Sequence, residues 1–287
     1  MSSGLDLAFN KMGSRVLLHT VQPPSHMRTI AARDKNNFPS DVALNVLRDE
    51  NGEYFDIRQT HDARVEYIVM DVKPDDRHLL LMTRHFDNNN KLLGKQKFLM
   101  GHDERHWFVA AVPETVPVSS VKQAKEALKP TEVHRHQQAV GLKTKELSKR
   151  HNKAFIRQGE WFFVPAPNYR PVSFMIRKNE PLVRSNGRGF IGKPHIAEEA
   201  CRVGGTDVVV YEGKSYNQSE WQNFLRSIAT KERRTVEGTR MVRDARVYVR
   251  GKISHPDHKT IHLDGWHRVL MNTENRAVSM RSVTFLD

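Results

Sequence analysis

The chain reads as an α+β protein. An antiparallel β-rich N-terminal region, arranged as a meander, barrel or sandwich, is followed by a basic mixed α/β region ending in a β-hairpin. Three observations predict this. Between Tyr54 and Val112, short apolar runs alternate with tight polar turns, the spacing of successive antiparallel strands. Beyond residue 121, apolar positions at helical spacing are interspersed with strand-like runs. Charge is also segregated: residues 1–120 hold 15 Lys and Arg against 16 Asp and Glu, whereas residues 121–287 hold 31 against 17.

The 287 residues suffice for one large domain or two ordinary ones with cores of their own. Contents of 38% hydrophobic and 28% charged residues lie within the globular range. The single cysteine, Cys201, cannot form an internal disulfide, which excludes a stapled secreted scaffold and fits a reducing compartment. Residues 1–20 lack the apolar run of a secretory signal, and no stretch of about eighteen apolar residues occurs. The expected location is the cytoplasm, away from the membrane.

Taken in order, residues 1–50 read as an irregular arm, with one short helix over Pro39–Arg48 capped by Ser40. Residues 51–128 form the antiparallel β domain with a terminal helix. Val65, Tyr67 and Val69 alternate, Lys73-Pro74-Asp75-Asp76 supplies a turn, and His78–Met82 forms the next strand. Asn88-Asn89-Asn90 and Gly101–Glu104 turn the chain again before the strand Trp107–Val112. Ser119 or Ser120 then caps a helix through Leu128, stopped by Pro130.

Residues 129–153 read as a basic linker or helix, and 154–287 as a basic α+β domain. Within the latter, Ala154–Ile156 and Trp161–Val164 are strands split by Gln158-Gly159-Glu160. Pro194–Arg202 suits a helix with proline in its first turn, ended by Gly204-Gly205. Ser219–Ala229 suits another, with Trp221, Phe224, Leu225 and Ile228 facing the core. Arg246–Leu270 is strand again, and Asp264-Gly265 is the dipeptide of a two-residue type I′ hairpin.

That hairpin carries the densest chemistry. A turn at Asp264-Gly265 pairs His262 with His267 at roughly 4.5 Å between Cα atoms and leaves His258 just beyond. Three neutral imidazoles are a ligand set for zinc or another divalent transition metal. An exposed basic hairpin is the plain alternative. In the expected helix, His195 precedes Glu198 by three residues, a spacing that lets a carboxylate orient an imidazole for acid–base work, although acids in a first turn also simply complement the helix dipole. The Gly-rich basic loop Arg184–Lys193 runs into the same element and can hold a phosphate with Arg188 and Lys193, but it matches no nucleotide-hydrolysis motif. His102, Asp103, Glu104 and His106 sit at a turn, and Cys201 reads as packing.

The leading expectation is nucleic-acid binding through residues 129–287, RNA ahead of duplex DNA, since the region is strand-rich and shows no helix-turn-helix, zinc finger or basic zipper. Arg188, Lys193, Arg233, Arg234, Arg250, Lys252 and Arg268 are the expected phosphate contacts. One alternative is a metal-dependent nuclease or other phosphoester hydrolase, with metal on His258, His262 and His267 and with His195 and Glu198 as acid and base. The other is an assembly subunit that meets an acidic partner or forms a homo-oligomer.

Overall fold

The computed structural model describes residues 2–22, 42–185, 190–211, 214–228 and 236–276. Contacts divide the chain into two units: one runs to Lys153 and takes up the chain again at Met271, and the other runs from Ala154 to Leu270. Both mix α and β, with several antiparallel sheets. Among the described residues, no helix is long and apolar enough to cross a membrane.

The first unit opens with α1 (Ser2–Lys11), β1 (Val16–Val21), β2 (Val42–Asp49) and β3 (Gly52–Thr60). The three strands form one sheet in the order β1-β3-β2, with β1 parallel to β3. The expected helix over Pro39–Arg48 is therefore a strand from Val42 onward; Pro39–Asp41 lie outside the described residues. The physical reason is period. Val42, Leu44 and Val46 recur every second residue, which aligns them on one face of a strand and scatters them around a helix. The arm expected over residues 1–50 is likewise ordered helix and strand where it is described.

A meander follows: β4 (Arg64–Lys73), β5 (His78–Phe86), β6 (Leu92–Asp103) and β7 (His106–Val112), paired in sequence order as an open sheet rather than a closed barrel. Phe9, Val42, Leu44, Phe55 and Ile57 share one core with Leu79, Leu81, Phe98, Met100 and Val109 of the meander. The other face of the meander, Leu80, Leu99, Ala110 and Val112, is covered by Val121, Ala124 and Leu128. Burial on both faces explains why Leu79-Leu80-Leu81 is continuously apolar.

Val121 and Ala124 lie on α2 (Val121–Ala127), whose N-cap Ser120 accepts the Gln123 amide. Next come α3 (Thr131–Ala139) and α4 (Thr144–Leu147). Buried Lys129 is compensated by Glu126 and the Leu147 carbonyl, each at 2.7 Å. The returning segment joins the same unit: Thr273 donates from its amide to Leu128 O at 3.0 Å, and buried Glu274 accepts the Ala111 amide at 3.3 Å.

The second unit contains β8 (Ile156–Gln158), β9 (Trp161–Pro165), β10 (Arg177–Ser185), β11 (Phe190–Val203), β12 (Thr206–Tyr211), β13 (Lys214–Tyr216), α5 (Gln218–Ser227), β14 (Thr239–Arg243), β15 (Arg246–Ser254) and β16 (Ile261–Met271). Six strands form a sheet in the order β10-β11-β15-β16-β9-β8, and three form another, β13-β12-β14. Helix α5 is capped by Asn217 rather than by the expected Ser219, and it buries Trp221.

Two expectations fail here. The helix over Pro194–Arg202 is instead part of β11, paired on both sides by β10 and β15. Pairing with remote strands overrides the helix-forming Ala and Glu residues. Pro194 is accommodated because the β10 register steps from Leu182↔His195 to Arg184↔Ile191, leaving residues 192–194 in an irregularity that needs no ladder donor. Nor does Asp264-Gly265 turn the chain. Strand β16 runs through it, and the register with β15 steps from Val249↔His267 to Gly251↔Leu263, so two extra residues bulge there. The connection lies at residues 255–260.

Candidate functional site

The pairing Ile196↔Ser254 sets the start of the β15–β16 connection beside His195 of β11. That connection carries His255 and His258, separated by the turn-forming Pro256-Asp257. The three imidazoles gather. Ring centroids are 4.2 Å apart for His195 and His255, 5.4 Å for His195 and His258, and 4.7 Å for His255 and His258. One ring nitrogen from each lies within 4.8 Å of the others, and this is the one such group of His, Cys, Asp or Glu among the described residues.

The β8–β9 turn closes over the rings. Gly159, at φ +56°, lies so near that a Cβ there would sit 2.9 Å from His258 Nε2 and 3.5 Å from His195 Nε2. Gln158 Nε2 donates to the Lys259 carbonyl at 2.7 Å and so ties the turn to the loop. Trp161 stands edge-on to His195, centroids 6.3 Å apart.

The histidines are not equivalent. His195 is 2% exposed, and neither of its ring nitrogens has a hydrogen-bond partner among the described residues. Burial, then the neighbouring rings of His255 and His258, push its pKa from 6.5 down to about 3, so the ring is neutral at neutral pH. His255 is also held below its ordinary value, by burial and by His258. The Asp257 amide donates to His255 Nδ1 at 3.1 Å, so the ring proton sits on Nε2 and is given to the Lys193 carbonyl, also at 3.1 Å. Lys193 Nζ pairs with Asp257 at 3.0 Å and pins the loop a second time. Three imidazoles so placed can hold a divalent metal, or exchange a proton with a bound group.

Of the ligands expected from sequence, only His258 enters this cluster. His262 is exposed on β16 opposite Lys252, and its Nε2 lies 3.8 Å from Asp264. His267 is half-buried, its ring bonded to the Gly265 carbonyl at 2.9 Å. Their assignment as ligands depends on a turn at Asp264-Gly265, and that dipeptide is a bulge. Glu198 does not serve His195: residues three apart on a strand face opposite ways, and Glu198 accepts the Lys252 amide at 2.7 Å. His255 is the member of the cluster that sequence reasoning overlooks. Its signal is the turn-forming Pro256-Asp257 beside it, which a competing turn at Asp264-Gly265 obscures.

Among the expected phosphate contacts, Lys193 faces Asp257, and Arg250 pairs with Glu199 at 2.7 Å while lying 4.9 Å over the Trp266 ring. Lys252 is exposed and Arg268 half-buried. Arg188, Arg233 and Arg234 lie outside the described residues. In the first unit, Asp103 and Glu104 pair with Arg150, and His106 with Glu53 at 2.5 Å, so this group serves structure. Cys201 is buried and packs.

No protein family, curated protein or solved structure matches the chain.

Proposed function

We propose that the basic region over residues 129–287 binds nucleic acid, single-stranded RNA ahead of duplex DNA, mainly through phosphates. The observation that supports this most is charge: residues 154–270 hold 20 Lys and Arg against 12 Asp and Glu. Such a surplus attracts polyanions and releases their counterions on contact.

Local pairing refines the contact set. Asp257 and Glu199 partly neutralise Lys193 and Arg250, which shifts the electrostatic work toward exposed Lys252 and Arg246, with Arg188, Arg233 and Arg234 retained from their sequence pattern. Several rings are already occupied: Tyr169 stacks on Tyr248 at 3.7 Å and stands edge-on to Trp266. Phe174, 81% exposed, is the ring best placed to stack on an unpaired base.

Replacing Arg246 and Lys252 together with Ala is expected to lower RNA affinity. The slope of log K against log salt should also fall by about 0.7 for each phosphate that is no longer neutralised. Phe174→Ala is expected to weaken RNA binding about tenfold and leave that slope alone. Unchanged slopes in the first variant count against the phosphate assignment. A second reading, a metal-dependent phosphoester hydrolase, is favoured by the histidine cluster, with metal-dependent cleavage of the bound RNA as its test.

A further inference from the structure

We infer that His195, His255 and His258 form a binding site for one borderline divalent transition metal, zinc foremost, each supplying a single ring nitrogen. The inference stands apart from nucleic-acid binding. The competing explanation, three histidines stacked as core filler, fits His195 poorly. A buried imidazole with both nitrogens unpartnered carries an unmet desolvation cost that a phenyl ring would not. A metal bond satisfies one of the two nitrogens and so removes part of that cost.

The surroundings match what a metal requires of imidazole ligands. A ligating imidazole must offer a nitrogen lone pair, and each ring turns one nitrogen toward the other two. A hydrogen bond from the second nitrogen orients a ligating imidazole, and His255 has one. The Nε2–H of His255 donates to the Lys193 carbonyl, an outer-shell bond that leaves Nδ1 as the ligand atom. That lone pair also accepts the Asp257 amide, so coordination takes the place of one hydrogen bond. Gly159 leaves the space beside His195 Nε2 and His258 Nε2 that any side chain would fill.

Metal–nitrogen bonds of about 2.0–2.1 Å at tetrahedral angles bring ligand nitrogens to roughly 3.3 Å from one another. The present nitrogens, within 4.8 Å of one another, must close by up to about 1.5 Å. Two of the three ligands lie on the 255–260 connection and the third on β11. With three histidine ligands a tetrahedral ion has a fourth position, which water or an anionic ligand can take.

The test uses the full chain stripped with a chelator and titrated with zinc against a chromophoric competitor, and with cobalt(II) for its visible spectrum. The expected result is one equivalent of zinc and intense tetrahedral cobalt bands. His255→Gln and His258→Gln, both at half-buried positions, should each weaken zinc about a hundredfold with unchanged far-UV circular dichroism, while His262→Gln leaves binding intact. Two results overturn the site: folded wild-type protein that takes up neither metal stoichiometrically, or one-to-one binding that survives both the His255 and His258 substitutions.

Discussion

A neutral imidazole sealed into a sheet makes stability depend on pH. His195 has its pKa lowered from 6.5 to about 3, chiefly by burial. Below about 6.5 the unfolded chain takes up a proton that the folded chain refuses. The stabilisation is therefore complete above that pH and is lost as the pH falls toward about 3. Between pH 6.5 and 5 the loss amounts to about 2 kcal/mol. Urea unfolding with chelator present should show wild type losing more stability than His195→Gln over that interval; equal losses would contradict the assignment. At this scale the sequence is only partly informative. His258 stands out among its neighbours, but its partner His195 is remote in the chain and comes near only through the Ile196↔Ser254 register.

Elements whose neighbours are close in sequence are the legible ones. The meander from β4 to β7 is joined by short turns, and its apolar runs announce strands buried on one or both faces. Leu80, fully buried against α2, should cost about 2–5 kcal/mol when replaced by Ala, whereas Leu93→Ala, at 48% exposure, should cost under about 1. Urea midpoints of the two variants check the difference. β2 and β11 mislead a sequence reading for related reasons. In β2, period-two apolar spacing passes for a helical side; in β11, Ala and Glu residues favour a helix where strands on both sides impose extension. Asp264-Gly265 shows that turn chemistry also suits a bulge, since both need residues that tolerate unusual backbone angles.

On the scale of the whole molecule, the basic surplus does not belong to one unit. Residues 121–153, which pack with the first unit, hold 9 Lys and Arg against 3 Asp and Glu, and residues 154–270 hold 20 against 12. The sequence reveals the sum; the structure divides it and shows which cations already face carboxylates. The most direct test of the nucleic-acid reading is fluorescence anisotropy of the full chain with single-stranded RNA, duplex DNA and heparin at two salt concentrations. The account predicts tightest binding to RNA, above heparin, with affinity falling steeply as salt rises. Weak binding, or binding that ranks heparin equal to RNA, would contradict it.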